Sequence, residues 1–341
     1  MGWYEAFGRR VFFSLDPERA HELALRMLGL PLPWRRIGRA ATDPILHTTI
    51  GGTAVENPIG LAAGFDKACA HLGQLGELGF GYVVGGTVTR APRAGNPRPR
   101  IARSPGRGAL VNAMGLPNPG AAIAAGHLAA GPRTAPRWVS LADEAVDDVV
   151  AAHELVAPHA DAIELNASSP NAGWEHRATH VGVVVRELVA RSDLPISVKV
   201  PPPRVPADRT GVFAIAAAAQ AAGATAITCA NTVPVRDGRL GTGRGGLSGL
   251  PLRDRTPGHV RALRSATGGE MQIHASGGIF SVQDVLGCLE AGAASVQVYT
   301  GMVFRGPGIV GELTRGLAAH LHDAGLVLSD LAGTERSPHA S

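Results

Sequence analysis

The regular alternation of short apolar runs with longer helix-like stretches, from residue 57 onward, is the feature that most constrains the fold. Helix-like stretches such as residues 67–78, 143–157, 212–222 and 281–291 separate the runs. Strands that alternate with helices form parallel sheets, and about eight such units close a barrel. The sequence therefore predicts an α/β fold, a parallel (β/α)8 barrel. The predicted strands are PIGLAA (58–63), FGYVVGG (80–86), RWVSL (137–141), DAIEL (161–165), PISVKV (195–200), TAITCA (225–230), MQIHAS (271–276) and ASVQVYT (294–300).

The chain before the barrel has a different character, and residues 1–45 are predicted to form a small N-terminal helical domain. The stretch DPERAHELALRMLG has a capping residue in Asp16, a first-turn proline in Pro17 and an apolar stripe, which together predict an amphipathic helix. The segment before it concentrates aromatic residues and is a candidate second helix. The barrel is expected to span residues 46–328, and the polar tail, residues 329–341, is expected to be disordered.

Composition excludes several classes of protein. No apolar run approaches the roughly 20 residues of a membrane span, and the N-terminus lacks the apolar core and cleavage site of a secretory signal. Three cysteines without a CxxC pair suit a reducing compartment, so we expect the chain to stay in the cytoplasm. A basic balance carried almost entirely by arginine, without interleaved aromatics, fits an anionic small molecule or an anionic membrane surface and does not indicate nucleic acid.

Lysine is rare in this chain. Of 32 basic residues only two are lysines, Lys67 and Lys199. Arginine and lysine differ in shape, in hydration and in how easily they lose a proton. A chain that uses arginine nearly everywhere but keeps an ammonium at two positions is therefore expected to use both for chemistry.

Polar and glycine-rich segments follow several predicted strands at the end where barrels build their active sites. Glycines 277, 278 and 301 follow the last two strands, where barrels bind phosphate through backbone N–H groups, so a phosphate-bearing cofactor is implied. The long links at 88–136 and 231–256 exceed plain connections and are predicted to be active-site loops. No cluster of histidines and carboxylates indicates a metal.

Four asparagines, Asn112, Asn166, Asn171 and Asn231, could together bind a flat polar ring with several amide groups. Each feature also has a purely structural explanation, because asparagines beside glycine and proline form turns and a serine before proline often bonds to the local backbone. Lys199 inside a strand is harder to explain in that way, since an apolar barrel interior disfavours an unpaired ammonium.

Six motifs carry a resemblance to a known family. In chain order they are NPIGLAAGFDK, GFGYVVGGTVT, GNPRPRIAR, NASSPN, GGLSGLPL and SVQVYTGMVFRGPG. From about residue 9 to residue 320 the chain resembles the class 2 dihydroorotate dehydrogenases, which are FMN-dependent TIM barrels with a small N-terminal helical domain. That domain docks on the inner membrane and delivers a quinone to the flavin. The resemblance implies oxidation of dihydroorotate to orotate in pyrimidine biosynthesis, with quinone as acceptor, by a protein held peripherally on the cytoplasmic side of the cell membrane.

The resemblance also implies roles for individual residues. Ser169 would be the catalytic base, taking a proton from C5 of dihydroorotate while a hydride leaves C6 for the flavin; a cysteine there would indicate the soluble class 1 enzymes. Lys199 would balance the charge of the reduced ring. The substrate residues would be Lys67, Asn112, Asn166, Asn171, Asn231 and Thr232. The FMN residues would be Ala63, Gly64, Lys67, Thr87, Asn166, Lys199, Gly249, Gly278, Tyr299 and Thr300, and the quinone tunnel would use His21, Arg103 and Tyr299.

The chain departs from the family pattern at three positions. Ser140 stands where the family has an asparagine that contacts the flavin, Leu116 replaces an aromatic residue, and Ala172 replaces a threonine. The aromatic residue and the threonine normally surround the water route by which the serine loses its proton, and a serine is a poor base without such help. Two alternatives therefore stay open: a paralogous FMN oxidoreductase that acts on a related cyclic amide or dihydropyrimidine, and a flavin-binding or membrane-docked scaffold without turnover.

Overall fold

The computed structural model describes residues 4–168, 178–202 and 206–332, without the side chains of Ala6 and of residues 206–208. The N-terminal segment begins with a short π-helical turn, Tyr4–Gly8, and continues as helices α1 (Arg9–Ser14), α2 (Pro17–Leu28) and α3 (Trp34–Ile37). The prediction for α2 is confirmed, because the Asp16 carboxylate accepts hydrogen bonds from the backbone N–H groups of Glu18 and Arg19 and Pro17 occupies the first turn. None of the described helices is long and apolar enough to cross a bilayer.

A closed barrel of eight parallel strands follows, as the sequence predicts. Its strands carry fully buried aliphatic residues, because helices cover the outside and the barrel interior is packed. The strands are β3 (Ile59–Leu61), β4 (Tyr82–Val88), β7 (Arg137–Leu141), β8 (Ala162–Asn166), β9 (Ile196–Lys199), β10 (Ala226–Cys229), β13 (Gln272–Ser276) and β14 (Ser295–Val298). Around the barrel their order is β10–β13–β14–β3–β4–β7–β8–β9.

Helices pack around the outside of the barrel. Their ends are set by local signals: Ser281 and Asp284 form a capping box at the start of α10 (Val282–Glu290), and Gly325 takes a left-handed conformation just after α12 (Ile309–Ala324). The helices are α4 (Leu72–Glu77), α5 (Ala121–Ala130), α6 (Val146–Val156), α7 (Ala178–Val189), α8 (Pro206–Ala221), α9 (Thr256–Ala266), α10 (Val282–Glu290), α11 (Thr300–Arg305), α12 (Ile309–Ala324) and α13 (Leu328–Leu331).

The predicted helix at residues 67–78 is shorter in the structure. Helix α4 begins only at Leu72, because the Asp66 carboxylate accepts hydrogen bonds from the backbone N–H groups of Ala68 and His71 and folds the intervening residues into a turn. That turn carries Lys67 into the cavity described below.

A two-stranded hairpin closes the amino-terminal end of the barrel. It consists of β1 (Thr48–Ile50) and β2 (Thr53–Val55), which pair antiparallel. Its buried residues Ile50 and Val55 pack against Tyr82, Val84 and Trp138 from the strands above. One end of the barrel is thereby sealed with apolar and aromatic side chains, and the opposite end carries the functional cavity.

The two long links, which the sequence predicts to be active-site loops, contain strands of their own. The link after β4 contains β5 (Ile101–Ser104) and β6 (Ala109–Asn112), and the link after β10 contains β11 (Val233–Arg236) and β12 (Arg244–Gly249). These strands form one antiparallel sheet in the order β11–β12–β6–β5, which we call the loop sheet. Strands of four to six residues joined by Gly, Pro and Arg give little periodic signal, and their pairing depends on the barrel bringing both links to the same end.

Candidate active site

A cavity of about 200 Å³ lies at the carboxyl ends of the barrel strands, between them and the loop sheet. The structure brings together in its lining every predicted substrate or cofactor residue that falls within the described part of the chain. Those residues are Ala63, Gly64, Lys67, Thr87, Asn112, Asn166, Lys199, Asn231, Thr232, Gly249, Gly278, Tyr299 and Thr300. They come from both halves of the barrel and from both long links, so only the closed fold assembles them.

The predicted base, Ser169, lies outside the described residues, as do Asn171 and Ala172. The chain immediately before it is well anchored at Ser168. The Ser168 hydroxyl donates to the side-chain oxygen of Asn166 at 2.7 Å and accepts from the side-chain amide of Asn231, also at 2.7 Å. Two amides of the cavity are thus tied to the residue that precedes the predicted base.

The charge of the cavity is cationic in the described part of the chain. The charged side chains among its described lining residues are the two lysines, Lys67 and Lys199. Lys67 donates to the backbone carbonyl of Gly64 at 2.7 Å, and burial lowers the pKa of its ammonium to about 8. Such a cavity favours anionic ligands, because their charge offsets the desolvation of the ammonium groups.

The Ser140 departure from the family pattern has a definite structural outcome. Ser140 is fully buried and does not line the cavity; its hydroxyl hydrogen-bonds the hydroxyl of Thr87 at 3.0 Å. Thr87 in turn accepts from the side-chain amide of Asn166 at 3.0 Å. Ser140 therefore positions Thr87 and Asn166 in place of making a cavity contact of its own.

Leu116 lines the cavity with a left-handed backbone, at φ 56°. This conformation is unusual for a residue with a branched side chain and follows Gly115, which is also left-handed. The side-chain amide of Asn118 donates to the Leu116 carbonyl at 2.9 Å and stabilises the turn. The substituted position thus keeps a fixed place in the cavity lining.

Glycines and small hydroxyl residues line the edge of the cavity at the last two barrel strands. Gly278 has φ 77°, and a Cβ there would lie 2.4 Å from the backbone of Arg253, so only glycine fits. The Thr300 hydroxyl donates to that of Ser248 at 2.9 Å. Sequence reasoning missed Ser248 and Gln297 as lining residues, although both lie inside the motifs GGLSGLPL and SVQVYTG.

A second cavity, of about 290 Å³, lies beneath the N-terminal helices and is mostly apolar. The three predicted tunnel residues, His21, Arg103 and Tyr299, all line it. Ile101, Leu110 and Tyr299 line both cavities, so the two spaces adjoin at these side chains. Tyr299 donates to the Gly64 carbonyl at 3.2 Å, and burial raises the pKa of its phenol to about 12.

Two polar side chains of the second cavity, His21 and Arg103, differ in charge and in their contacts. Burial lowers the pKa of His21 to about 3, with the positive charge of Lys67 acting in the same direction, so the imidazole stays neutral. Its ring meets the edge of Phe65 at 5.1 Å between centroids. The Arg103 guanidinium donates to the carbonyls of Phe12 and Leu15 at the end of α1, so this arginine holds the N-terminal helices as well as lining the cavity.

A buried ion pair fixes α2 to the start of the loop sheet. The Arg100 guanidinium donates to both oxygens of the Glu18 carboxylate, with the shortest contact at 2.8 Å, and both residues are 7% exposed. Arg98 also contacts Glu18, at 3.0 Å. The N-terminal helices and the loop sheet therefore form a single packed unit above the barrel.

Comparisons with known proteins agree with this geometry. The family model described as Dihydroorotate dehydrogenase matches residues 45–321. Proteins named dihydroorotate dehydrogenase (quinone) from Methylococcus capsulatus and Rhodospirillum rubrum are each 38% identical to this chain, over 93% and 95% of it and over 99% and 92% of their own lengths. A crystal structure of DHODH in complex with ferulenol from Eimeria tenella is similar with a TM-score of 0.82 and 28% identity, covering 93% of this chain and 95% of that one.

Proposed function

This chain belongs to the dihydroorotate dehydrogenase family of flavin-dependent oxidoreductases, and we propose that it oxidises dihydroorotate to orotate with bound FMN and passes the electrons to a quinone, in pyrimidine biosynthesis. When bound, FMN supplies the hydride acceptor: the substrate loses a proton from C5 and a hydride from C6, a C5=C6 double bond forms, and the two electrons reduce the quinone to the quinol. One observation carries the proposal: a cationic, amide-lined cavity adjoins an apolar cavity at Tyr299.

The lining fits FMN. The glycine edge, with Gly249, Gly278 and the segment at Thr300, offers backbone N–H groups and small side chains suited to a phosphate. At the other side Lys199 offers an ammonium to the ring, and Asn166 and Thr87 offer polar groups already oriented by Ser140. No acidic side chain among the described lining residues opposes an anionic cofactor.

The remaining groups suit dihydroorotate. Lys67 would pair with the substrate carboxylate, and Asn112, Asn166 and Asn231 would bind the amide edges of the ring, with Thr232 beside them. We propose Ser169 as the base at C5 and Asn171 as a further substrate ligand. Ser168 supports this assignment, because it directly precedes Ser169 and its hydroxyl is hydrogen-bonded to two residues of the cavity lining, Asn166 and Asn231.

The second cavity suits a quinone. Its lining is mostly apolar and His21 is neutral, which suits an uncharged ring with a hydrocarbon chain. Arg103 adds a guanidinium to this lining, and Tyr299 lies between this cavity and the first. We therefore assign His21, Arg103 and Tyr299 to the quinone site.

Peripheral membrane contact follows from the distribution of exposed apolar residues. Phe7, Val11, Leu15, Leu30 and Leu32 are each at least 37% exposed and all belong to the N-terminal helical segment. Exposed apolar side chains flanked by arginines are the composition of an interfacial anchor. We propose that residues 1–45 dock on the cytoplasmic side of the cell membrane, where a quinone can enter the second cavity.

Leu116 favours a second candidate function, oxidation of a related cyclic amide or dihydropyrimidine by the same machinery. An aliphatic residue in place of an aromatic one changes the shape of the cavity lining beside Pro117. Stopped-flow flavin reduction with a panel of such substrates separates the two functions. A substrate that reduces the flavin faster than dihydroorotate would favour the second.

The primary test uses the purified protein and two serine variants. The parent should be yellow, anaerobic dihydroorotate should bleach it, and a long-chain quinone should restore the colour. Ser169→Ala should still bind orotate but lose about 10²–10⁴-fold in the rate of flavin reduction, since the base acts in the transition state. Ser168→Ala, which removes hydrogen bonds from Asn166 and Asn231 but not the base, should lose much less. Parent-rate reduction in Ser169→Ala would refute the assignment of the base.

A further inference from the structure

A buried carboxylate lies one layer below the cavity. Glu164 is on β8, two residues before Asn166, so both side chains point into the barrel, and Glu164 is fully buried. The Lys199 ammonium lies 3.6 Å from Glu164 Oε1, and the Lys199 side chain is only 8% exposed. Lys199 lines the cavity, whereas Glu164 does not. The lysine that faces the cavity thus has a carboxylate behind it.

Hydrogen bonds hold the Glu164 carboxylate through its other oxygen, Oε2. The Thr228 hydroxyl donates to Oε2 at 2.9 Å, and the Gln297 side-chain amide donates to the same oxygen at 3.4 Å. Thr228 is itself hydrogen-bonded to the hydroxyl of Ser197 at 3.0 Å. Oε1 accepts no hydrogen bond from the described residues, which leaves it directed to the ammonium of Lys199.

The cost of burying the Glu164–Lys199 ion pair indicates that its role is electrostatic. A fully buried carboxylate is costly unless a cation and hydrogen bonds compensate it, and a hydrophobic pair of similar volume would often be at least as stable. A stabilising role therefore does not explain the ion pair, whereas its effect on charge is direct: Glu164 offsets the charge of Lys199, and Lys67 keeps the cavity cationic. Without Glu164, the Lys199 ammonium would act on the cavity with its full charge.

We propose that Glu164 is a positioning residue that holds the Lys199 ammonium at the base of the cavity and offsets its charge, so that the ion pair sets the reduction potential of the flavin. The inference rests on the proposed function, since it requires the flavin ring to lie beside Lys199. The reduced ring carries negative charge, so an unopposed lysine favours reduction and the Glu164 carboxylate disfavours it. Glu164 thereby keeps the bound flavin a weaker oxidant and a stronger donor to the acceptor.

The test is the midpoint potential of the bound flavin at fixed pH, measured against a reference dye, in the parent and in Glu164→Gln. Glutamine keeps the size and removes the charge. We expect the equilibrium constant for two-electron reduction to rise at least tenfold, which corresponds to about 30 mV in the positive direction. Ser295→Ala is the matched control: it removes hydrogen bonds to Tyr82 and His274 inside the same barrel without touching Glu164, and its potential should equal that of the parent.

The inference would be overturned if Glu164→Gln folds fully and its equilibrium constant for flavin reduction lies within twofold of the parent value, or is lower than that value. The proposed function would be unaffected by that result. A parent protein that binds no flavin would overturn the proposed function instead. If Glu164→Gln does not fold, Lys199→Met and the double variant Lys199→Met with Glu164→Gln provide the test. The double variant should unfold at the higher temperature, because the single variant leaves a buried carboxylate without its cation. Equal unfolding temperatures would show that the pair does not act together.

Discussion

The affinity for orotate is expected to fall as pH rises through about 8, because the ammonium proposed to pair with the ligand carboxylate is buried. Burial lowers the pKa of Lys67 to about 8 in the free protein, so the ammonium form predominates at pH 7 and the neutral amine at pH 9. An anionic ligand favours the charged form and raises the pKa again when it binds. Orotate therefore binds mainly the protonated protein.

The size of the effect follows from the fraction of protein that carries the proton. With a pKa of about 8, that fraction falls about tenfold between pH 7 and pH 9, and the apparent Kd rises by the same factor. His21 does not contribute in this range, since its pKa of about 3 keeps it neutral throughout. Titration of the flavin absorbance with orotate between pH 6.5 and pH 9 gives the Kd at each pH.

Two variants identify the group responsible. Lys67→Arg keeps a positive charge over the whole range, so its Kd should be nearly independent of pH even if binding is weaker. Lys67→Met should bind orotate more weakly than the parent at pH 7 and show a flat profile. A parent Kd that is the same at pH 7 and pH 9, or a rise that persists in Lys67→Met, would refute the assignment of Lys67 to the ligand carboxylate.

Two further predictions concern the N-terminal helices. Arg100→Met should lower the free energy of unfolding by about 2 kcal/mol, because it removes charge-assisted hydrogen bonds to the buried Glu18 carboxylate and leaves the largely exposed Arg98 as its remaining cation, and thermal melting should detect the loss; a melting temperature within a degree of the parent would contradict it. The double variant Phe7→Ser and Val11→Ser should lose sedimentation with anionic liposomes yet keep flavin reduction by dihydroorotate. Ile123→Ser, an exposed apolar position on α5, is the control, and equal liposome binding in all three proteins would exclude the proposed docking surface.

The barrel could be predicted from the sequence because its signals are local. Strands such as PISVKV and ASVQVYT are short and rich in β-branched residues, every residue of β9 and β14 is buried, and the helices between the strands have their own periodicity. The position of the site follows from the same order, since the carboxyl ends of parallel strands meet at one end of a barrel. The predicted substrate and cofactor residues that fall within the described part of the chain accordingly line one cavity.

What the sequence could not supply is pairing between distant segments. The run DAIEL contains a glutamate, but nothing in it indicates that its carboxylate faces Lys199 on the next strand. A lysine inside a barrel strand is costly to bury without a nearby anion, so Lys199 is itself an indication that a carboxylate lies close to it. Arg103 is a similar case: the family resemblance of its motif implies a role at a quinone site, whereas its hydrogen bonds to the carbonyls of Phe12 and Leu15 depend on the docking of α1.

The loop sheet has a consequence for how the enzyme acquires its activity. Its central pairing joins Leu110 of β6 to Ser248 of β12, two residues that are 138 positions apart in the chain. Contacts of such high order are slow to form, because the entropy of closing the intervening loop must be lost first. Asn112 and Gly249 belong to these same strands. We therefore expect a newly made molecule to become competent to hold ligands only after these distant segments have paired.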